Sequence, residues 1–330
     1  MGFLKSFEQR LNNSSEEEFV ELALELFAYQ SDHNLLYKEY IQTLGVSNED
    51  VTKIEQIPFL PISFFKTHQI KTEDWNSEHV FESSGTTGME TSKNHVRELD
   101  AYLRNTSSIF QKCYGDIQNF HFLALLPSYL ERNNSSLVFM MDHFIKESHS
   151  EYSGFYLDEK EQLIDVLEKL AQNGSGKTML VGVTFALLDL IENHQMQFPD
   201  LMIMETGCMK GRRKEMIREE VHKILQRGFG TNQIHSEYGM TELLSQAYSK
   251  SSGIFHENNK MKVLIRDIND PLSMLEQGKA GGLNVIDLAN IHTCAFIETQ
   301  DMGRKLSSNT FEVLGRFDNT DIRGCSLMTV

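Results

Sequence analysis

Two glycines and four hydroxyl side chains occupy the six consecutive positions from Ser83 to Gly88. Glycine lets backbone N–H groups converge on an anion, and the hydroxyls add hydrogen-bond donors, so the run is suited to binding phosphate. An apolar, β-prone segment at 79–81 precedes it, and a stretch of helical character begins at Ser92. The order strand, loop, helix is typical of nucleotide-binding loops. Taken alone, such a run is more often an ordinary solvated loop.

Helix and strand patterns alternate along the chain without a linker between them. The pattern predicts a helix over 158–172, a strand over 178–183 and a helix over 185–192, the order expected of parallel-sheet crossovers. An earlier, structural helix is predicted after the capping box formed by Ser15 and Glu18. For a chain of 330 residues, this continuity favours one large α/β unit.

Beyond Gly253 the sequence changes to short β-prone pieces separated by turns. These pieces lie at 261–265, 282–286, 294–298 and 310–314. We therefore predict an α/β part over 1–255, a smaller β-rich lobe of the same domain over 256–314, and a short C-terminal segment over 315–330.

A second glycine-containing run, Gly-Ser-Gly-Lys-Thr at 174–178, imitates a Walker A phosphate loop. Position 171 is alanine where the pattern needs glycine. The run also leaves a predicted helix to enter a predicted strand, which is the reverse of the order that a Walker A loop requires. We interpret it as a helix C-cap and turn.

Composition excludes several function classes. The chain has 31 Lys and Arg against 47 Asp and Glu, a formal net charge of −16, which argues against a surface for nucleic acid or anionic membrane. Its four cysteines are far apart and form no CxxC pair, so neither a disulfide framework nor a zinc site is indicated. We find no signal-peptide pattern and no apolar run of membrane-spanning length, and we expect a cytoplasmic protein without stable membrane insertion.

Three further strings follow the phosphate run in order: Tyr-Gly-Met-Thr-Glu at 238–242, Glu-Thr-Gln-Asp-Met-Gly at 298–303 and Gly-Arg-Phe-Asp at 315–318. Together the four strings resemble the ordered core motifs of the adenylate-forming superfamily, which contains acyl-CoA synthetases, luciferases and peptide-synthetase adenylation domains. Other strings, at 57–66, 126–132 and 321–328, resemble one branch of that superfamily. This branch is the LuxE-type acyl-protein synthetases, also called long-chain-fatty-acid–luciferin-component ligases.

The resemblance implies the large domain of an adenylate-forming enzyme, with layered α/β sheets and a smaller β-rich lobe. It makes 1–255 the α/β nucleotide- and acyl-binding part, and 315–330 the hinge motif with a short C-terminal tail. It implies ATP and Mg²⁺ as cofactors and a fatty or other carboxylic acid as substrate. Six loop residues would wrap the β- and γ-phosphates: Ser83, Ser84, Gly85, Thr86, Thr87 and Gly88. Thr241 would contact the α-phosphate, and Glu242 would hold Mg²⁺, for which a carboxylate oxygen is a suitable ligand.

The resemblance also assigns the nucleoside pocket. Tyr238 would stack on the adenine, with Gly207 and Cys208 lining the base pocket. Asp301 would accept hydrogen bonds from the ribose hydroxyls, and Arg316 would donate to the same sugar. Each of these residues has an ordinary structural interpretation if it is considered alone.

The cation opposite the leaving pyrophosphate stays open between two residues. In the superfamily a lysine usually follows the phosphate loop closely, but Thr91 stands near that position here. Lys93 and His95 are the candidates.

The acyl-binding pocket has a weaker signal. The chain contains 15 methionines and 21 phenylalanines, which supply deformable apolar surface suited to an alkyl chain, although most of them are expected in the ordinary core. We predict a pocket wall over 137–144, including Met140, Met141 and His143.

The end of the sequence suggests how the acyl group leaves. Most adenylate-forming enzymes continue past the Gly-Arg-x-Asp hinge into a mobile lid domain, which we expect to be absent here. The tail contains Cys325, whose thiolate could take the acyl group as a thioester, with Arg323 lowering its pKa. The resemblance implies transfer from this cysteine to a partner such as a fatty-acid reductase or an acyl carrier protein. The alternatives are an acid:thiol ligase acting on CoA or carrier-protein phosphopantetheine, and a catalytically silent acyl-adenylate-binding subunit.

Overall fold

The computed structural model describes residues 2–83, 90–126, 134–156, 159–207 and 216–317. The helices are α1 (Phe3–Asn13), α2 (Phe19–His33), α3 (Leu35–Thr43), α4 (Phe64–Thr67), α5 (Leu99–Tyr114), α6 (Ser136–Glu147), α7 (Lys160–Asn173), α8 (Thr184–Asn193) and α9 (Arg218–Phe229). The strands are β1 (Leu60–Pro61), β2 (His79–Glu82), β3 (Lys93–Val96), β4 (Phe120–Leu125), β5 (Gly154–Phe155), β6 (Lys177–Gly182), β7 (Met202–Thr206), β8 (Ile234–Tyr238), β9 (Ala247–Ser249), β10 (Ile254–His256), β11 (Met261–Arg266), β12 (Ala280–Asp287), β13 (Phe296–Ser307) and β14 (Thr310–Arg316).

One sheet runs through both the α/β part and the β-rich part of the chain. Its strand order is β11-β12-β13-β14-β10-β9-β8-β7-β6-β4-β5, with β1 beside β13. Strands β4 to β8 are parallel, whereas β8 to β14 pair antiparallel. The parallel strands are almost continuously buried, as expected where helices cover both faces. Their carboxyl ends therefore define one edge on which a site can form.

Buried side chains form two apolar clusters. One surrounds the parallel strands and includes Phe110 of α5, Phe144 of α6 and Leu187 of α8. The other joins α2 to the antiparallel strands, with Phe27 and Phe296 in edge-to-face contact at 5.9 Å between ring centroids. Residues of β7 and β8 belong to the first cluster, and Tyr238 at the end of β8 belongs to the second, so both clusters hold the strand ends in place.

The α/β class is confirmed, and the predicted elements correspond closely to α7, β6 and α8. The 174–178 run joins α7 to β6, as its interpretation as a turn requires. The short β-prone pieces correspond to β11–β14, and they extend the same sheet. The predicted boundary between 255 and 256 falls inside β10, so backbone hydrogen bonding continues across it.

The helical stretch predicted from Ser92 is wrong. Residues 93–96 form β3, which pairs antiparallel with β2, and the helix α5 begins only at Leu99. The physical reason is the alternation of exposure: Lys93 is exposed while Asn94 and Val96 are buried, a period of two that suits a strand. The phosphate run thus lies between two paired strands in the sequence, and not between a strand and a helix.

Candidate active site

Ser83 stands at the base of the predicted phosphate loop. Its backbone N–H donates to the Ser92 carbonyl at 3.0 Å, and its Oγ accepts from the Ser92 N–H at 2.9 Å. This pair closes the β2–β3 hairpin. The other loop residues lie outside the described residues: Ser84, Gly85, Thr86, Thr87 and Gly88.

The segment after β8 carries Thr241 and Glu242, and hydrogen bonds from distant residues hold it. Asn94 Nδ2 of β3 donates to the Thr241 carbonyl at 3.0 Å, and Asn290 Nδ2 donates to the Glu242 carbonyl at 2.8 Å. The buried Asp287 carboxylate accepts the next two backbone N–H groups, those of residues 244 and 245, at 2.8 and 2.9 Å. These supports were not predicted from the sequence, and they fix the backbone of the motif in place.

Glu242 is buried, with 5% of its surface exposed. Burial raises the pKa of its carboxyl, and a hydrogen bond from Ser92 together with the nearby Arg316 charge opposes that rise. Glu242 therefore lies beside both the base of the phosphate loop and the strand pair that carries Asp301 and Arg316. A carboxylate in this position is available to a cation that also contacts phosphate.

Asp301 lies on β13 directly opposite Arg316 of β14. Arg316 Nε donates to Asp301 Oδ1 at 3.1 Å, and the Tyr238 hydroxyl donates to Asp301 Oδ2 at 3.0 Å. The Tyr238 ring also contacts Phe255 and Phe311, with centroids 5.8 and 5.6 Å apart. Three motifs that are remote in sequence thus meet at one carboxylate.

Arg266 supports this part of the site, and no motif in the sequence pointed to it. Its guanidinium is buried and donates to the Leu283 and Thr299 carbonyls at 2.9 and 2.7 Å. The space exists because Gly282 has no side chain: a Cβ there would lie 2.3 Å from the guanidinium carbon. Arg266 also lies over the Phe317 ring at 5.7 Å. It therefore links the 298–303 string to the 315–318 string.

Gly207 follows the last residue of β7 with φ +78°, a conformation that favours glycine. Its carbonyl accepts a hydrogen bond from Thr184 Oγ1 at 2.7 Å. It is exposed at the same carboxyl edge as the β8 motif. Cys208 lies outside the described residues, so the predicted lining of the base pocket is placed only at Gly207.

Lys93 and His95 project from the face of β3 opposite to Asn94. Lys93 Nζ lies 3.8 Å from Glu82 across the hairpin. His95 Nδ1 is 2.8 Å from Ser77 Oγ, and burial together with neighbouring lysine charges lowers the pKa of its imidazole. Asn94 contacts the Thr241 carbonyl and Ser92 contacts the Glu242 carboxylate, both from the other face of the hairpin. No contact among the described residues joins Lys93 or His95 to Glu242.

A small cavity lies between the sheet and helices α5 and α6, lined mostly by aromatic and methionine side chains; we call it the sheet cavity. Its wall includes Leu137, Met140, Met141 and Phe144 of α6, within the range predicted as a pocket wall. His143, which was also named for this wall, is not in the lining; its Nε2 lies 2.9 Å from Ser107 Oγ of α5. Thr206, the last residue of β7, and Glu237 of β8 also line the cavity, so it reaches the strand that precedes the motif segment.

Within the described ranges no group of three or more His, Cys, Asp or Glu is placed to hold a metal ion. One buried carboxylate, Glu242, remains a suitable Mg²⁺ ligand, because protein-bound Mg²⁺ commonly uses one or two carboxylates together with substrate phosphates. None of the helices in the described ranges is long and apolar enough to cross a membrane. Cys325 lies outside these ranges.

Comparison with models of protein families shows to which family the chain belongs. The family model described as "Acyl-protein synthetase, LuxE" matches residues 7–329. The chain belongs to the LuxE acyl-protein synthetase family. This match extends the resemblance seen in the motifs to nearly the whole sequence, including the first fifty residues. A search of curated proteins gives no match.

Solved structures of adenylate-forming enzymes share the fold. ATP-bound MatB from Rhodopseudomonas palustris is 14% identical, with a TM-score of 0.54 over 72% of this chain and 47% of that chain. A 2-hydroxyisobutyryl-CoA ligase in complex with 2-HIB-AMP and CoA is 12% identical, with a TM-score of 0.68 over 92% of this chain and 69% of that chain. This LuxE-family chain thus spans about half the length of MatB.

Proposed function

We propose that this chain activates a carboxylic acid as an acyl-adenylate and passes the acyl group through Cys325 to a partner protein. The observation that carries the proposal is the convergence of Glu242, Asp301, Tyr238 and Arg316 at the sheet edge, next to an apolar cavity. A nucleotide and an acid held there would have their reacting groups side by side.

In the first step, a carboxylate oxygen of the acid attacks the α-phosphorus of ATP. A new O–P bond forms, and the bond to the bridging oxygen breaks, so pyrophosphate leaves with the electron pair. Thr241 would contact the α-phosphate, the loop beginning at Ser83 would bind the outer phosphates, and Asp301 with Arg316 would hold the ribose. Glu242 would hold Mg²⁺, which when bound supplies positive charge against the phosphate oxygens.

In the second step, the Cys325 thiolate attacks the acyl carbonyl. A C–S bond forms, and the bond from the carbonyl carbon to the AMP oxygen breaks, which gives an acyl thioester and AMP. A nucleophile on the partner then takes the acyl group and regenerates the thiol. Membership of a family described as acyl-protein synthetases supports a protein as the acceptor.

A second candidate is direct transfer of the acyl group to CoA or to a phosphopantetheine arm. It is favoured by one observation, the likeness of the fold to structures named as CoA ligases, one of them in complex with CoA. In that case Cys325 would carry no acyl group.

The first test is acid-dependent ATP–pyrophosphate exchange with the full chain. Glu242→Gln removes a charge at little change in volume, and we expect exchange to fall at least tenfold, about 1.4 kcal/mol in the barrier. Glu257→Gln is the matched control, since Glu257 is also buried but pairs with Lys305 in the β-rich part. Adenylation through Glu242 is contradicted if E242Q keeps more than about a tenth of wild-type exchange, or if both variants lose exchange equally.

The second test separates the two steps. Cys325→Ser should retain exchange and lose hydroxylamine-sensitive acyl label, because a serine hydroxyl without a general base is a poor nucleophile. Cys113→Ser and Cys294→Ser are controls that should keep the label. Normal labelling of C325S refutes Cys325 as the acyl carrier. Exchange without any acyl label on the wild-type chain favours direct transfer to CoA or phosphopantetheine.

A further inference from the structure

A second cavity lies between helices α1 and α5, the end of β3 and the segment 289–293; we call it the α1–α5 cavity. Its volume of about 50 Å³ gives room for roughly four water molecules. None of its lining residues adjoins, in the sequence, a stretch outside the described residues. The phosphate run leaves the β2–β3 pair at Glu82 and Lys93, whereas this cavity lies at the Val96 end of the pair.

Lys260 is buried in the lining of this cavity without a counter-charge. Only 5% of its surface is exposed, and its ammonium group donates within the described residues only to Asn12 Oδ1, at 3.0 Å. The carboxylates of Glu8 and Glu98 also line the cavity, but neither forms an ion pair with Lys260. Burial and the Lys112 charge lower the pKa of Lys260 to about 8, against a weaker effect of Glu8. Lysine is rarely buried unless it is paired, so an anionic partner is missing here.

Further hydrogen-bond donors lie on the same side of the cavity. The half-buried Arg97 side chain has no hydrogen bond or ion pair with any described residue. Thr293 is 1% exposed, and its Oγ1, like His292 Nδ1, is buried without a partner among the described residues. Burial and the Arg97 charge lower the pKa of His292 to about 4, so Arg97 lies near this residue. Buried polar groups normally have partners, so these side chains indicate a ligand that accepts hydrogen bonds.

Much of the remaining lining is apolar: Leu11, Val96, Ala101, Leu244, Ala289 and Ile291. An alkyl chain is stabilised by leaving water for such a wall, whereas an inorganic ion loses hydration there without a return. On the α5 side, Asn105 Oδ1 is also buried without a partner among the described residues. It can only accept, so an anionic group is expected on the 289–293 side of the cavity and not beside α5.

We infer that the α1–α5 cavity binds a small aliphatic carboxylate, with its charge at Lys260 and Arg97 and its chain against the apolar wall. The volume suits an acid of about three to five carbons. Water would satisfy Thr293 and His292, but it leaves the buried ammonium group without the negative charge that offsets its desolvation. The inference does not rest on the proposed function, because it concerns binding at another place in the fold.

Ligand-detected NMR titrations of the full chain measure this binding without turnover. Butanoate is compared with 1-butanol, which lacks the charge, and with butylammonium, which reverses it. We expect butanoate to bind at least about tenfold more tightly than either. Inorganic phosphate, which lacks the alkyl chain, should not displace it. Equal binding of butanoate and 1-butanol, or displacement of butanoate by phosphate, overturns the inference.

Two variants test the charge and the space. Lys260→Met removes the charge and keeps an unbranched side chain, and we expect butanoate binding to weaken at least about tenfold. Lys112→Met is the matched control, because Lys112 carries the same charge nearby but lies outside the lining, and its effect should stay within about threefold. Ala101→Leu fills the cavity from α5 and should abolish binding.

Thr293→Val removes only the unpartnered hydroxyl and should weaken butanoate binding several-fold. Thr206→Val is its control: Thr206 Oγ1 is also buried without a partner among the described residues, but it lies outside the α1–α5 cavity. Melting curves establish that each variant is folded, and the changes at 101, 260 and 293 lie in different elements, so one that does not fold leaves two to decide.

The outcomes separate this inference from the proposed function. Butanoate binding that K260M, A101L and T293V all leave unchanged belongs to another site and overturns the inference. Pyrophosphate exchange without binding that depends on Lys260 refutes the inference alone. Binding that depends on Lys260, in a chain that catalyses no exchange with any acid, supports the inference and counts against the proposed function alone.

Discussion

Replacing Asp287 by asparagine tests whether the backbone after β8 is held as the structure indicates. One carboxylate oxygen accepts the Leu244 and Ser245 N–H groups at 2.8 and 2.9 Å, and the other accepts Ser245 Oγ and the Ala289 N–H at 2.6 and 3.0 Å. Asparagine has only one acceptor oxygen, so its amide NH₂ would face two buried donors. An unpaired buried donor costs about 1–3 kcal/mol, so we expect Asp287→Asn to lower the free energy of unfolding by about 3 kcal/mol.

Urea unfolding of the full chain measures this loss, and pyrophosphate exchange measures its effect on the motif. Because Thr241 and Glu242 belong to the segment that Asp287 holds, exchange should also fall more than tenfold in the folded variant. Asp270→Asn is the control: its carboxylate accepts similar bonds in an exposed turn, and we expect a change below about 0.5 kcal/mol. A loss below about 1 kcal/mol for D287N would refute the argument.

Two further predictions concern carboxylates near the site. If Asp301 binds the ribose, Asp301→Ala should raise the KM for ATP strongly, because about 2–3 kcal/mol of binding free energy is lost. A lower melting temperature with normal ATP kinetics would mean that Asp301 only holds Tyr238 and Arg316 in place. Burial beside Tyr102 and Tyr248 raises the pKa of Glu237 to about 7, so the native state holds its proton and loses stability as pH rises from about 4.5 to about 7. Gln does not titrate, so the unfolding free energy of E237Q relative to wild type should increase by about 2–3 kcal/mol between about pH 5 and about pH 8. A pH-independent difference would contradict a raised pKa for the half-buried Glu237.

Long periodic segments were predictable from the sequence because their local pattern and their tertiary surroundings agree. The apolar positions of α8 recur at helical spacing, and the near-continuous apolar run of β6 is typical of a strand covered on both faces. The region after Ser92 was predicted wrongly because its partner strand is separated from it by the phosphate loop. Pairing of 93–96 with β2 is set by tertiary contacts, with Asn94 turned toward the Thr241 carbonyl, and a local pattern does not contain that information.

The residues of the candidate site also fall into those that the sequence predicted and those that it did not. Tyr238, Asp301 and Arg316 were predicted because their strings keep a recognisable order, and the structure brings the three side chains together. Asn94, Asn290 and Asp287 were missed because each is an isolated polar residue, whose role appears only when strands and loops remote in sequence meet around residues 241–245.

Glu237 shows most clearly what a motif leaves out. It directly precedes Tyr238 in the chain, yet the alternation of β8 turns the two side chains to opposite faces of the sheet. Tyr238 faces the Asp301 carboxylate, where the predicted nucleoside site lies, whereas Glu237 faces the sheet cavity. A substitution at 237 is therefore expected to alter the cavity without altering the Tyr238 contact. A motif string therefore does not reveal which surroundings the residue just before it meets, and the strand geometry is needed to place that residue.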